Sequence, residues 1–336
     1  MSFEEEQLAN LIISLQQLKG VGSKTIQKIL IDCEDKLTKA NVYSELFLRE
    51  LNISAINKGL DQLAVSWKEI QKKSANIIEQ ASLQSIKILH PYMEEYPKRM
   101  IMLKNFPPIL YAVGDVSLLN YEKVVAIIGT RNPTEFGAKM VERLSKMLSN
   151  DGYVIVSGLA IGCDTMAHVG CLKGSAKTIA VLPTPINTAV YPKDNQALAD
   201  EIVEKGGLLI SEYPYGSELR GRQLVNNLVA RDEWQAGLSD GVIAAETSEK
   251  GGSKHAIGHA IKAHKPLALF DYSSRISDFQ VNERYSGNRK YIKNGSAFPL
   301  FTKESVEEFK QMMHKFYSQQ LKHNSKSIEY NQNSFF

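Results

Sequence analysis

The chain has 336 residues, 43% of them hydrophobic, enough for one large core and one smaller one, so two unequal domains are expected. Lysine and arginine number 40 against 37 aspartates and glutamates; the resulting +3 is too mild for whole-molecule attraction to nucleic acid and confines any such site to a local patch. The acidic start MSFEEEQ is unlike a secretory signal, no run reaches the ~20 apolar residues of a membrane span, and Cys33, Cys163 and Cys171 fall outside any CxxC, so a cytoplasmic chain with no disulfide framework or structural zinc is expected.

Residues 1–84 carry apolar positions at helical spacing, such as Leu8, Leu11, Ile12, Leu15 and Leu18, and predict a small all-helical domain. Residues 85–122 change texture: the strand-like SIKIL, the loop HPYMEEYPKRM and the strand-like PPILYAVG read as a lead-in segment packed onto the core. From 123 to 302 short apolar runs alternate with Gly- or Pro-rich loops and amphipathic stretches. The runs VVAIIG, YVIVSG, TIAVLP, GLLISE, GVIAAE and PLALFD are continuous, as strands buried on both faces must be. They predict an α/β, Rossmann-like doubly wound core with a mainly parallel sheet. Residues 303–336 read as one amphipathic helix around VEEFKQMMHKFY, followed by a polar tail expected to be disordered.

In such a sheet the ligand lies outside the carboxyl ends of the strands, so the loops after the apolar runs carry the functional information. After VVAII come Gly129, Thr130 and Arg131, with Thr134 placed to cap the next helix. Glycine allows the sharp turn, the helix start offers N–H groups, and the guanidinium suits phosphate. A tight turn with a solvated arginine fits that segment equally. After YVIV, Gly158 and Gly162 permit close backbone approach, Ser157 supplies a hydroxyl, and Asp164 is placed to cap a helix. The loop Glu246 to His255 again combines Lys250, Gly251, Gly252 and Ser253 at a helix start. Three loops with the same physics at one sheet edge predict an anionic ligand. None is GxGxxG or GxxxxGK[ST], so no nucleotide cofactor is expected. His168 reads as a packing residue. His255 and His259 have zinc-hydrolase spacing, but HAIGH lacks the glutamate of HExxH, so neither a metal nor a catalytic set is expected.

Taken in order, ILHPYMEEYPKRMIMLKNFPPILYAVGD, VAIIGTRNP, SGLAIGCDTMAH, TIAVLPTPINTAVYPKDN, LLISEYPYG, QAGLSD and SGNRKYIKNGSA resemble the DNA-processing protein A (DprA, or Smf) family across most of the chain. The resemblance implies a Rossmann-like core that binds single-stranded DNA in a basic pocket, a homodimer, and loading of RecA recombinase in natural transformation or related recombination. Gly129 to Arg131 and Ser157 to Gly162 match segments lining that pocket, and Lys250 to Ser253 occupy the corresponding later loop. Family members typically carry an NFPxRNRxIAGLS-like run, with two arginines and an aromatic that contact DNA, which implies a phosphate-binding role for Arg231. Here the stretch is NNLVARDEWQAGLSD: Arg231 remains, Asp232 and Glu233 replace asparagine and arginine, and Leu228 replaces phenylalanine. Many members end in a winged helix, and the segment after 303 is too short for one, so a divergent branch is expected. The region before residue 85 is similar to the family's helical domain, of helix-hairpin-helix or SAM-like type. Gly20, Gly22 and Lys24 in LKGVGSKTI read as its hairpin, although a glycine turn joining two helices reads the same.

The leading expectation is therefore a binding protein that holds single-stranded DNA by charge and backbone N–H groups, with Tyr191 or Tyr215 as a stacking platform. The alternatives are a phosphoribohydrolase on the same core and a sensor of a small nucleotide. The first lacks its PGGxGTxxE run: GGSKHAIG puts Lys254, His255 and Gly258 at the places of glycine, threonine and glutamate.

Overall fold

The computed structural model describes residues 2–32, 43–101, 103, 105–217 and 222–333. Cys33 lies outside them, whereas Cys163 and Cys171 are free and buried. Among the described residues the helices that come first are α1 (Phe3–Gln16), α2 (Ser23–Asp32), α3 (Glu45–Glu50), α4 (Ser54–Asp61) and α5 (Trp67–Leu83). Ser2 and Ser66 open α1 and α5 with reciprocal capping boxes to Glu5 and Glu69, which satisfies backbone donors that a helix start otherwise leaves orphaned. The stripe Leu8, Leu11, Ile12, Leu15 and Leu18 is buried, as its spacing requires, against Trp67, Ile70 and Ile78. The same cluster takes in Ile88 and Tyr111, so the helices share a core with the first two strands.

Those strands, β1 (Lys87–Leu89) and β2 (Leu110–Gly114), flank the short α6 (Lys98–Ile101). The remaining elements alternate: β3 (Val124–Ile128), α7 (Glu135–Asn150), β4 (Val154–Ser157), α8 (Cys163–Leu172), β5 (Thr178–Val181), α9 (Gln196–Glu204), β6 (Leu208–Ser211), α10 (Arg222–Leu238), β7 (Gly241–Ala244), α11 (Lys254–Lys262), β8 (Leu267–Phe270), α12 (Ser286–Lys293), β9 (Phe298–Leu300) and α13 (Lys303–Asn333). All nine strands form one sheet in the order β1-β2-β6-β5-β4-β3-β7-β8-β9. β3 to β9 run parallel, but β2 pairs antiparallel with both β1 and β6, so the sheet is mixed rather than parallel throughout. The lead-in segment has thus become part of the sheet. Alternate residues of the apolar runs serve opposite faces: Val124, Ala126 and Ile128 join one cluster, Val125 and Ile127 the other.

The C-terminal helix also departs from expectation. The backbone of α13 continues through the polar segment to Asn333, where a disordered tail was expected. Polar composition argues only against a core and not against a helical backbone, and helix propagation onto an anchored start adds a hydrogen bond for each residue fixed. Phe309 and Met313, both buried, supply the anchor against Gly241, where a Cβ would lie 2.7 Å from the Met313 Cγ.

The lead-in segment is pinned to the core by a buried ion pair. Arg99 donates from Nε and Nη2 to the two oxygens of Asp240, at 2.8 and 2.9 Å, and Asp240 also accepts the Val124 N–H at 3.2 Å. Replacing Asp240 by alanine strands Arg99 in a place that water barely reaches, and loss of one partner of a buried pair costs about 3–5 kcal/mol. Denaturant unfolding of Asp240→Ala should therefore show a midpoint well below wild type; an unchanged midpoint would remove this pair from the stability account.

Candidate nucleic-acid interface

β3 stands at the switch point of the sheet: the chain winds from it through β4, β5 and β6 on one side and through β7, β8 and β9 on the other. Crevices open at such points, outside the carboxyl ends of the strands. The loops after β4, β3 and β7 are consequently neighbours, and they interlock. Thr130 donates its N–H to the Glu246 carbonyl at 2.8 Å, and Cys163 donates its N–H to the Thr130 carbonyl at 3.1 Å. A Cβ on Gly162 would lie 2.6 Å from the carbonyl oxygens of both Thr130 and Arg131, and Gly162 also has φ of +86°. Glycine at 162 is therefore required by loop packing and by backbone conformation together.

Glu246, at the end of β7, is fully buried. It accepts the Thr134 N–H at 2.8 Å and the Thr134 hydroxyl at 2.5 Å, while that hydroxyl accepts the Gly137 N–H and so caps α7. The next residue, Thr247, donates its N–H to Asn288 at 2.9 Å, and Asn288 donates in turn to the carbonyls of Ala245 and Phe270. The β4 loop is held from its other side. Leu159 takes φ of +60°, a conformation costing a non-glycine residue roughly 1–2 kcal/mol. Its side chain is wholly buried, and the Asn195 amide donates to its carbonyl at 2.8 Å.

Above this frame several groups stay free. Arg131, Lys250 and Lys254 are exposed and make no ion pair among the described residues. The N–H groups of Arg131, Ile161 and Gly162 donate to no protein acceptor among the described residues. Gly252 is exposed and a Cβ there would meet nothing, so the backbone can be approached closely. Ser253 precedes α11 with no capping bond from its side chain. Tyr191 is 37% exposed.

Other expected contacts are placed differently. Ser157 is buried and donates its hydroxyl to the Ile127 carbonyl at 2.7 Å, bracing β4 against β3 instead of facing a ligand. Asp164 does not cap α8, whose N-cap is Gly162; its carboxylate accepts the Ala160 N–H at 3.3 Å and approaches Arg231 to 3.5 Å. Arg231, which the family run offers as a phosphate contact, is only 4% exposed. Its guanidinium fills the volume that a Cβ on Gly158 would need, and it donates from Nη1 to the Val181 carbonyl. Gly158 therefore makes room for an arginine beneath the loop. Tyr215 packs against the helical core and its hydroxyl accepts a bond from Gln84, which removes it as a free platform.

Asp232 lies 3.8 Å from the Arg231 Nε. Burial raises its pKa to about 7, against the pull of Arg231. His168 is fully buried: Thr178 spends its hydroxyl proton on the Ile155 carbonyl, so His168 must donate from Nδ1 to Thr178, and burial holds the ring neutral, with a pKa of about 3. His259 faces Glu233 at 3.8 Å, and no group of three metal-ligating side chains occurs among the described residues. In the helical region Gly20 has φ of +83° and, like Gly22 and Lys24, is exposed; burial raises the pKa of Glu233, and Lys24 is near enough to pull weakly against that rise.

Comparison with known proteins points one way. The model of the DNA recombination-mediator protein A family matches residues 87–311. The DNA processing protein DprA of Bacillus subtilis is 34% identical over 193 residues, 56% of this chain and 63% of its own length. Its namesake in Streptococcus pneumoniae is 40% identical over 158 residues, 47% and 53% of the two chains. The match thus spans roughly half to under two thirds of these relatives. Among solved structures, the S. pneumoniae protein is similar with a TM-score of 0.67 at 26% identity, covering 92% of this chain and 98% of that one. DNA processing protein A from Helicobacter pylori, described for its single-stranded DNA binding mode, gives a TM-score of 0.56 at 30% identity, covering 71% and 96%.

Two consequences of the geometry can be measured. An alanine at 158 must displace a buried guanidinium, and overpacking of this kind costs about 1–3 kcal/mol. Gly158→Ala should lower the unfolding midpoint, whereas Gly258→Ala, with open space around it in α11, should leave it equal or higher; equal behaviour of the two would contradict the packing role. Asp232, with a folded pKa of about 7 against an unfolded value near 3.9, binds more proton folded than unfolded between those values, so its contribution to stability falls as pH rises through that window. Asp232→Asn should gain on wild type in melting temperature between pH 5 and pH 8; a gap constant with pH would refute the assignment.

Proposed function

The chain belongs to the DNA recombination-mediator protein A family, and from that premise we propose that it binds single-stranded DNA across the interlocked loops after β4, β3 and β7. The observation that carries the reading is the set of donors on those three adjacent loops without a partner among the described residues: Arg131 and Lys250, with the N–H groups of Arg131, Ile161 and Gly162. Phosphate oxygens need such donors, and they position a strand without reading its sequence. Gly129, Thr130, Gly251, Gly252 and Ser253 shape the surface on which the backbone lies, and Tyr191 offers a face for a base. Arg231 acts from below, through its field, because Gly158 covers it. The exposed hairpin with Gly20, Gly22 and Lys24 is a secondary phosphate contact.

The biological role in this reading is DNA processing and recombination in the cytoplasm: a homodimer hands bound single strands to RecA recombinase, as in natural transformation. Family membership supports that role. Binding rather than catalysis is favoured by the fate of the candidate acids and bases. Asp164 is engaged with Arg231, His168 is sealed in the core, Glu246 is bound to Thr134, and Glu249 pairs with Lys290 at 2.7 Å. None is left to assist cleavage of a nucleotide.

Labelled oligonucleotides followed by fluorescence anisotropy test the proposal. Affinity should fall steeply with salt; Arg131→Ala and Lys250→Ala should each weaken binding several-fold and reduce the slope of log K against log salt by about 0.7, one single-strand phosphate contact. Salt-insensitive binding, or two variants indistinguishable from wild type, would exclude these loops.

A further inference from the structure

A second basic surface lies at the opposite edge of the sheet. Ser239 and Asp240 precede β7, and beside them opens a cavity of about 730 Å³ between α6, the end of α10, α11 and α13. Its volume is in the range that accommodates small organic ligands. Lys98 and Lys262 stand on its rim, exposed and without ion pairs among the described residues. Of its two acids, Asp240 is already neutralised by the bidentate contact with Arg99. The other, Glu233, faces His259 at 3.8 Å; burial raises its pKa, with Lys262 and Lys24 near enough to pull against that rise. Lys265 adds a buried amino group, its pKa pulled down to about 7 by burial, that is fixed by the carbonyls of Ala236, Gly237 and Ser239 at 2.6 to 2.9 Å. The lining charge is therefore positive on balance. Two aromatic rings complete the wall: Tyr317, with the Arg99 guanidinium carbon 4.8 Å from its centroid, and Phe316, with Lys265 Nζ at 5.8 Å.

This cavity is joined to the first site by one helix. α11 starts at Lys254, directly after the loop that carries Lys250 to Ser253, and ends at Lys262 on the cavity rim. Its nine residues span about 13 Å, a distance that a few nucleotides of extended strand cover. Lys254, His255, His259 and Lys262 mark the way, and none of these four is fully buried. Cations that follow a path, with aromatic rings at its end, are the chemistry of single-strand tracking: the charges follow phosphates and the rings take bases whatever their identity.

We propose that single-stranded DNA held at the carboxyl-edge loops continues along α11 into the amino-edge cavity, where Lys98 and Lys262 take phosphates and Tyr317 or Phe316 stacks a base. The proposal rests on the reading of the first site. It makes the binding site two-part and gives the strand a direction across the sheet.

The test uses the full chain and two oligothymidylates, one of about four nucleotides and one of about twelve, lengths that bracket a single groove and a longer track. For the longer strand, a Lys98→Ala, Lys262→Ala double variant should lose several-fold in affinity, and its salt slope should fall by about 0.7 for each lysine removed. For the shorter strand it should match wild type, while Arg131→Ala weakens both. Glu233→Gln, which removes the cavity's unneutralised acid, should strengthen only the longer strand. Equal losses for both lengths, or no loss for either, would overturn the track; so would thymidine monophosphate protecting the cavity as well as the longer strand does. If wild type binds neither oligonucleotide, the first site fails and not merely its extension. Melting curves of the variants confirm that changes at exposed lysines leave the fold intact.

Discussion

Glu246 has lost contact with water, and a carboxylate in that position is tolerated only when both oxygens are paired. Thr134 pairs them, one with its N–H and one with its hydroxyl. The effects spread outward. The bond fixes the entry to α7, brings the β7 loop against the β3 loop, and requires Gly137, because a Cβ there would run into the Glu246 carboxylate. The β3 loop then presents the Thr130 carbonyl to Cys163, and the β4 loop is drawn into the same assembly. Free N–H groups and an unpaired arginine can persist at the surface because the backbone beneath them is already fixed. An anion that binds here meets donors in place and does not have to order them.

The buried Arg231 extends that logic below the surface. Asp164 approaches its Nη2 to 3.5 Å and Asp232 its Nε to 3.8 Å, and burial raises the pKa of both carboxyl groups. A guanidinium beside two ionised acids contributes little net field to a ligand above. One beside a pair of which one acid is protonated contributes more. The surface site therefore sits over a group whose charge balance depends on proton uptake at Asp232, where relatives of the DprA pattern carry an uncharged asparagine.

The fold was legible wherever local pattern decides it. Continuous apolar runs marked β3 to β8, helical spacing marked α1, and Thr134 announced the start of α7. The three loops could be named because glycine, cation and hydroxyl recur after strands. What could not be read was partnership at long range. Ser157 looks like a ligand donor until Ile127, thirty residues earlier, takes its proton. Arg231 looks exposed until Gly158 is seen to cover it, and Tyr215 looks available until Gln84 and the helical core close on it. Leu159 at positive φ, and the amides Asn195 and Asn288 that hold the loops, left no local signal: asparagine is as common in solvated turns as in buried struts. The polar end of α13 misled for the opposite reason, since its helix is propagated from an anchor upstream.

A net charge of +3 argues against nucleic-acid binding by the molecule as a whole, and the placement of charge explains how the proposed binding is compatible with it. Many acids are committed within the protein: Asp240 to Arg99, Glu246 to Thr134, Asp164 and Asp232 to Arg231, Glu249 to Lys290. Arg131, Lys250, Lys254, Lys262 and Lys98 make no ion pair among the described residues, and they fall at the carboxyl edge, along α11 and at the amino edge. At physiological ionic strength charges interact over about 8 Å, so a strand passing over these groups responds to them and hardly at all to the distant acids that cancel them in the total. Local commitment of the acids, rather than an excess of bases, gives this near-neutral chain a surface suited to a polyanion.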